Sequence, residues 1–313
     1  MPLPKSFETL RLPAVAAPMF LASGPDLVVE TCRAGLVGTF PALNQRTTEG
    51  LVAWLDEIRQ RLAPHPAAAP FGVNLIVHRS NPRLEADLKA VVEHKVPLVI
   101  TSLGAVADVV KAVQSYGGLV FHDVISRRHA EKAAEAGVDG IIAVCAGAGG
   151  HAGTLNPFAF IPEIRSFFEG TILLSGAIST GEQIAAARLM GADLAYLGTR
   201  FLVTQESMVS EAQKQMTLQA GAGDILYTDA ISGVNANFLR ASIVAAGLDP
   251  QKLVSHGPMD LGSEAKAWKS VWSAGQGVSA IDDIPTVAQL CRRLIDGYGR
   301  VMRGAAGDRF LVL

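Results

Sequence analysis

A single histidine stands among glycines in the stretch "CAGAGGHAGT" at residues 145–154. An imidazole takes up and releases protons near neutral pH, so His151 is a candidate acid or base. The surrounding glycines have two open interpretations. Their backbone amide groups could cradle a phosphate, or their missing side chains could let a larger ligand lie against the main chain. The letters "GAGGHA" also fit the loose G-x-G-x-x-G/A dinucleotide pattern.

The position of this glycine loop argues against a dinucleotide site. That fingerprint belongs in a first β-α-β unit, with an acidic residue about 20 residues later. Here the loop follows the sixth predicted strand, and the next stretch, 154–164, contains prolines and no clear helix start. We therefore expect the loop to serve a different ligand.

Eight short apolar stretches alternate with helix-like stretches and must position these residues. The predicted strands are 14–18, 36–40, 71–76, 97–102, 118–124, 140–146, 171–176 and 194–199. They lack the polar alternation of a half-exposed sheet, as parallel strands covered on both faces do. Predicted helices between them include 126–137, which ends at Gly137, and 180–191, which starts with a Thr180–Gln183 capping box. The pattern predicts an α/β fold, a (β/α)8 TIM barrel.

The alternation of strands and helices stops after residue 207. Residues 208–271 have the pattern of helices and loops, and a closing helix follows near the C-terminus. We therefore predict a barrel built from 1–207 and 272–313, with 208–271 inserted as a mainly α-helical second domain. The insertion is expected to shape the substrate cavity, and it would also be able to support a homodimer.

Composition narrows the classes of partner. The 313 residues are 49% hydrophobic with a net charge of −2 and no basic patch, so we expect no nucleic acid partner. Three well-separated cysteines without C-x-x-C spacing predict neither a disulfide nor a metal site. The N-terminus lacks the pattern of a signal peptide, and no apolar run is long enough to span a bilayer. We expect a cytoplasmic protein without a membrane partner.

Function in such barrels lies at the C-terminal ends of the strands. Ser175–Gly176 and Gly198–Thr199 end the seventh and eighth predicted strands, where exposed amide groups often bind phosphate. Arg200, next to them, could pair with a phosphate or with a carboxylate. Cys145 lies on an apolar strand, and we interpret it as a small core residue.

Six short motifs occur in an order that resembles the nitronate monooxygenase family, formerly called 2-nitropropane dioxygenases. They are "AAPM" (16–19), "GVNL" (72–75), "AGAGGHAG" (146–153), "SGAI" (175–178), "LGTRF" (197–201) and "SAGQGVSAI" (273–281). The resemblance runs from about residue 12 to residue 285. It implies an FMN-dependent barrel with an inserted helical domain, which acts on a nitronate or nitroalkane together with O2.

The resemblance also implies roles for individual residues. His151 would be the catalytic residue near the reactive face of the flavin, with His122 and Asp123 close to the substrate. The residues expected to contact FMN are Pro18, Met19, Asn74, Gly149, Gly150, Ser175, Gly176, Ala177, Gly198, Thr199, Gly275 and Gln276. With a flavin as ligand, the loop glycines are expected to give clearance for its flat ring. Many members have glutamate before the double glycine, where this chain has Gly147–Ala148, and lysine at the position of Asp123, and we expect these departures to affect the substrate more than the fold or the cofactor.

Three functions remain as hypotheses. The first is FMN-dependent oxidation of alkyl nitronates, or of nitroalkanes, by O2 to a carbonyl compound and nitrite. His151 would then be the base or the hydrogen-bond donor to the nitronate. The second keeps FMN but uses NAD(P)H, as in a quinone or enoyl-ACP reductase. The third is a barrel that binds a phosphorylated metabolite without redox chemistry.

Overall fold

The computed structural model describes residues 3–104, 107–255, 270–305 and 307. Eight parallel strands close into a barrel, in the order in which they occur along the chain. They are Ala14–Ala16 (β1), Val37–Pro41 (β2), Phe71–Ile76 (β3), Leu98–Ser102 (β4), Leu119–Val124 (β5), Gly140–Val144 (β6), Thr171–Ser175 (β8) and Leu194–Leu197 (β9). Each lies within two residues of a predicted strand at both ends. The predicted (β/α)8 TIM barrel is therefore confirmed.

Helices cover the outside of the barrel and extend beyond its last strand. They are Pro25–Arg33 (α1), Thr48–Leu62 (α2), Leu84–Glu93 (α3), Ala107–Gln114 (α4), Arg127–Glu135 (α5), Pro157–Arg165 (α6), Gly181–Leu189 (α7), Thr199–Leu202 (α8), Glu211–Gln219 (α9), Arg240–Ala245 (α10) and Val287–Ala305 (α11). The predicted capping box starts α7. The Thr180 side chain accepts a hydrogen bond from the Gln183 N–H, and the Gln183 side chain accepts one from the Thr180 N–H. Among the described residues, no helix combines the length and the apolar character needed to cross a membrane.

The barrel interior is filled with apolar side chains. Successive residues of a strand face opposite sides, so one row packs against the helices and the other fills the barrel. The interior row includes Val15, Ile100, Phe121 and Leu173, all completely buried. Phe7, from the N-terminal turn, packs its ring edge-on against Phe121 with the centroids 5.9 Å apart. Because the interior is full, space for a ligand begins only beyond the strand ends.

Helix α6 shows that one sequence expectation was wrong, because a helix does start after the glycine loop. Asn156 caps it, with its side-chain oxygen 2.9 Å from the Phe158 N–H. Pro157 occupies the first helical position, where a proline loses no helical hydrogen bond. The prolines were interpreted as signals against a helix, although an asparagine followed by a proline is a favourable helix start. The loop still follows β6 and not the first strand, so its position continues to disfavour a dinucleotide site.

The segment after α8 combines helices with a small antiparallel sheet that was not predicted. Two strands, Ile225–Thr228 (β10) and Ala236–Leu239 (β11), pair with each other. On its other side β11 pairs with Gly150–His151 (β7), so the sheet joins this segment to the glycine loop. Parts of the predicted domains lie outside the described residues, namely 256–269 in the insertion and 1–2, 105–106, 306 and 308–313 in the barrel.

Candidate active site

A large cavity of about 1540 Å³ opens at the C-terminal ends of the barrel strands. The barrel loops line it together with the segment after α8, which contributes Val234 and Asn235. The predicted site residues on its wall are Pro18, Met19, Asn74, His122, Asp123, Gly149, Gly150, His151, Ser175, Gly176, Ala177, Gly198, Thr199 and Gly275. The fold therefore brings together residues that are spread over most of the sequence.

Gln276 is the predicted site residue that does not line this cavity. It is exposed, and its backbone N–H donates to the carbonyl oxygen of Gly147 at 2.8 Å. Its neighbour Gly275, the extended residue just before a short 3-10 helix at Gln276–Ala280, does line the cavity. Gln276 thus contacts the glycine loop next to the cavity, and its role as a cofactor contact stays a prediction.

The backbone of His151 is fixed within the small sheet. Strand β7, which carries His151, pairs with β11 in an antiparallel ladder. The side-chain amide of Asn237 donates to the carbonyl oxygen of Ala148 at 2.7 Å, and the Gly150 N–H donates to Ser273 Oγ at 2.7 Å. The segment after β9 therefore positions the histidine at the cavity wall. This support was not predicted, because its two sides are far apart in the sequence.

The glycines of this loop were expected to leave clearance for a flavin ring. In the structure, they are required by the turns of the loop and by its close packing against the segment at residue 275. Gly147 and Gly150 have φ angles of +81° and +70°, which residues with a side chain rarely adopt. A Cβ on Gly149 would lie 2.8 Å from the backbone nitrogen of Gly275. The loop and the 275 segment could not pack this closely with any larger residue at position 149.

The ends of β8 and β9 form an open cradle of backbone. Gly176 and Ala177 both have positive φ angles, +142° and +54°, so the chain turns sharply after β8. At Gly198 the nearest atom to an added Cβ would be Met19 Sδ at 3.7 Å, so the protein leaves room for a side chain there. Thr199 follows, and its hydroxyl accepts a hydrogen bond from the Gly275 N–H at 2.8 Å. Free space in front of a glycine suits a ligand that approaches the backbone closely, such as a phosphate.

A row of polar side chains crosses the opposite side of the barrel mouth, with one member from each of β3, β4 and β5. Asn74 donates through Nδ2 to Ser102 Oγ at 2.8 Å, and Ser102 Oγ donates to Asp123 Oδ2 at 2.5 Å. The other oxygen of Asp123, Oδ1, is buried and accepts no hydrogen bond from the described residues. Burial raises the pKa of Asp123 to about 6, although the Ser102 hydrogen bond and the charge of His151 act in the other direction. Ser102 was not among the predicted site residues.

His122 precedes Asp123 but faces the other side of β5. Its Nδ1 lies 2.7 Å from Thr101 Oγ1, and only 4% of the residue is exposed. Burial lowers the pKa of His122 to about 4, so the ring is neutral at physiological pH. His122 lines the cavity as a hydrogen-bonded structural residue, and the charged group on this strand is Asp123.

Two further residues receive clear assignments. Arg200 pairs with a carboxylate, since its Nη2 lies 3.0 Å from Asp283 Oδ1 and its side chain is 4% exposed. It does not line the cavity, so of its two predicted partners the structure selects the carboxylate. Cys145 is completely buried, and burial raises the pKa of its thiol to about 12. It is a core residue, as predicted.

A model of the nitronate monooxygenase family matches residues 83–297, more than half of the chain. This chain belongs to the nitronate monooxygenase family. It is accordingly a flavin-dependent oxidoreductase, and the hypothesis of a non-redox barrel is set aside. Residues 83–297 include the glycine loop, the cradle and the polar side chains at the ends of β4 and β5, so the match spans most of the site.

Relatives and solved structures extend the likeness to nearly the whole chain. A nitronate monooxygenase from Paraburkholderia phytofirmans is 27% identical, over 90% of this chain and 92% of that protein. A (3aS,4S,5R,7aS)-5-hydroxy-7a-methyl-1-oxo-octahydro-1H-indene-4-carboxyl-CoA dehydrogenase from Rhodococcus jostii is 25% identical, over 91% of each chain. The structure of a nitroalkane oxidase from Streptomyces ansochromogenes superposes with a TM-score of 0.84 at 22% identity, covering 95% of this chain and 99% of that one. This structural likeness shows that the chain and the Streptomyces nitroalkane oxidase share one fold.

Proposed function

We propose that this protein oxidises alkyl nitronates, and the nitroalkanes from which they form, with FMN as cofactor and O2 as second substrate. The products are a carbonyl compound and nitrite. One observation carries the proposal: His151 is fixed by the small sheet on the wall of the cavity that also contains the cradle. The similarity to the Paraburkholderia nitronate monooxygenase supports the same reaction.

The residues of the cavity fit FMN. Ser175–Ala177 and Gly198–Thr199 would hold its phosphate, because the open space at Gly198 admits a ligand close to backbone amide groups. The residues that would line the flavin ring are Pro18, Met19, Asn74, Gly149, Gly150 and Gly275. A cavity of about 1540 Å³ exceeds the roughly 300–1,000 Å³ of most ligand pockets, so it has room for FMN and a substrate together.

The chain's own residues bind and orient the substrate. Bound FMN supplies the electron transfer between substrate and O2, which side chains do not provide. His151 can donate a hydrogen bond from its imidazole to a nitronate oxygen, and such charge-assisted contacts are stronger than neutral ones. Apolar residues on the cavity wall, Ile76 and Val144 among them, exclude water and strengthen that contact.

Nitrite release from the purified protein tests the proposal. Protein loaded with FMN is mixed with ethylnitronate or with nitroethane in air, and nitrite and O2 consumption are followed together. We expect nitrite from the nitronate at least. Flavin-loaded protein that forms no nitrite from either compound would overturn the proposed reaction. Mass analysis of the flavin released from protein purified without added cofactor tests FMN against FAD.

A second candidate is a flavin-dependent dehydrogenase or NAD(P)H-using reductase that acts on a larger substrate. The cavity volume favours it, because a small nitronate beside FMN would leave much of the space unfilled. The Rhodococcus relative, named for a carboxyl-CoA substrate, supports it as well. Rapid anaerobic bleaching of the flavin by NADH or NADPH, without nitrite formation from nitronates, would favour this candidate over the first.

We also propose that residues 208–271 act as a unit inserted into the barrel of 1–207 and 272–313. In its described part, β11 supports β7, and Val234 and Asn235 reach the cavity wall. The insertion would therefore both position His151 and limit the size of the substrate. Replacing 208–271 with a short linker should abolish nitrite formation while the barrel's circular dichroism persists. Full activity of that variant would refute the role.

A further inference from the structure

We propose that Asp123 is a second proton-transfer residue of this site. Its carboxylate takes the α-proton from a neutral carbon acid, and His151 is left to hold the anion that results. The inference rests on the proposed function. It assigns the two events that precede electron transfer, removal of the α-proton and binding of the nitronate, to two different residues. It concerns a residue that the motif resemblance placed only near the substrate.

The alternation of β5 places Asp123 inside the barrel mouth. Phe121 packs in the apolar interior and His122 faces outward to Thr101, so Asp123 returns to the inner side, one layer above Phe121. Among the residues that the structure describes, it is the only carboxylate on the cavity wall. The bases that line this cavity in the described part of the chain are therefore histidines, Lys132 and Asp123.

Hydrogen bonds hold one oxygen of this carboxylate and leave the other for a ligand. Because Asn74 Nδ2 donates to Ser102 Oγ, the hydroxyl proton of Ser102 is directed to Asp123 Oδ2. Oδ1 is buried and has no hydrogen-bond donor within the described ranges. Buried polar atoms in proteins are nearly always paired, so an unpaired carboxylate oxygen in a substrate cavity indicates a donor that the ligand supplies. An acidic C–H bond that gives up its proton meets that requirement.

The groups around Asp123 keep it in a useful range of pKa. Ser102 contacts it from β4 and the charge of His151 acts on it from the loop after β6, while Tyr196 on β9 lies close enough to feel the charge of Asp123. Burial and the charge of Asp123 both raise the pKa of the Tyr196 phenol, which therefore stays neutral. Burial brings the pKa of Asp123 itself to about 6. A base with a pKa near the working pH is ionised at that pH and still binds a proton well.

The step moves one proton and leaves the oxidation state of every group unchanged. The α C–H bond of the nitroalkane breaks, and its proton forms an O–H bond on the Asp123 carboxylate. The electron pair stays on the substrate as the nitronate, whose negative charge lies on the nitro oxygens. Those oxygens are the acceptors to which His151 donates.

Proton exchange without O2 tests this role separately from oxidation. Nitroethane is incubated in D2O with anaerobic, flavin-loaded protein, and the loss of its α-protons is followed by proton NMR. We expect the wild type to accelerate exchange and Asp123→Asn to lower the accelerated rate by about 100-fold or more. Oxidation of preformed nitronate should fall far less in that variant. Asp296→Asn makes the same chemical change on the exposed face of α11 and should exchange at the wild-type rate.

A second variant supplies a readout if Asp123→Asn does not fold. Ser102→Ala removes a hydrogen bond that lowers the pKa of Asp123, so the pH of half-maximal exchange should move upward. An unmoved profile would count against the proposal. The proposal would also be contradicted if Asp123→Asn exchanged protons at the wild-type rate, or if the wild type did not accelerate exchange. An Asp123→Asn variant that lost proton exchange and nitronate oxidation to the same extent would contradict it as well. A wild type that exchanges protons but forms no nitrite overturns the proposed function alone.

Discussion

Two arcs of the barrel mouth present different chemical groups to the cavity. The arc of β8, β9 and the loop after β6 presents mainly backbone, with Gly176, Gly198 and the glycines around His151. The arc of β3, β4 and β5 presents side chains, with Asn74, Ser102 and Asp123 joined by hydrogen bonds. Under the proposals above, the first arc holds the cofactor and the anion, and the second arc handles the substrate proton.

The difference between the arcs bears on how the site can vary. A backbone arc depends on glycines and turns, and three of the six family-like motifs of this chain lie there. A side-chain arc can change its chemistry through one substitution without altering the fold. We infer that cofactor use is fixed by the first arc, while the choice of substrate depends on residues such as Asp123.

Removing His151 should give the largest effect on nitrite release, because it is the residue proposed to hold the nitronate. We expect His151→Asn to lower nitrite release by about 100-fold or more, the usual loss for a residue that transfers or shares a proton in the reaction. Flavin content should be unchanged. His65→Asn, outside the cavity, is the control. Nitrite release by His151→Asn at more than a tenth of the wild-type rate would show that the histidine is not required.

Two glycine substitutions on the same arc should separate folding from cofactor binding. Gly149→Ala places a Cβ 2.8 Å from the backbone of Gly275, and we expect it to lower the free energy of unfolding by about 1–3 kcal/mol. Gly198→Ala has room within the protein, so stability without cofactor should change by less than about 0.5 kcal/mol. Its methyl group would instead weaken FMN binding. Urea unfolding and a flavin titration check both expectations, and the same response from both variants would contradict them.

The same contrast explains how much the sequence could reveal. The eight strands and the ends of β8 and β9 were predicted because apolar stretches and glycines act locally along the chain. Ser102 was missed because its contact with Asp123 depends on the register between β4 and β5, which only the closed barrel determines. Gln276 does not line the cavity as its neighbour Gly275 does, and a motif does not show which of two adjacent residues faces a ligand. The pairing of β7 with β11 joins residues too distant in sequence for any local pattern to reveal.

The hydrogen bond from β11 to the glycine loop can be tested for its contribution to the stability of the backbone arc. Asn237 is buried, and its side chain donates to the carbonyl oxygen of Ala148. Asn237→Ala leaves that buried acceptor without a partner, so we expect a loss of about 2 kcal/mol in the free energy of unfolding. Nitrite release should also fall, because β7 carries His151. Gln213→Ala, at the cavity wall but without a side-chain bond to the loop, is the matched control. Equal stability of the two variants would show that the loop does not need this support.

The effect of the side-chain arc on stability is decided by pH. The folded pKa of Asp123, about 6, is above its ordinary value of 3.8. The neutral acid is therefore favoured in the folded state, and this stability is fully present below about pH 4 and is lost as the pH rises through 6. Asp123→Asn cannot ionise, so it avoids the loss.

Relative to wild type, we therefore expect the variant's free energy of unfolding to increase by roughly 2 kcal/mol between pH 4.5 and 7.5. His122, whose lowered pKa has the opposite pH dependence, is present in both proteins and cancels from the difference. Urea unfolding of both proteins across this range measures it. A difference that stays flat or falls with pH would mean that the carboxylate is not held in the buried environment on which its proposed role as a base depends.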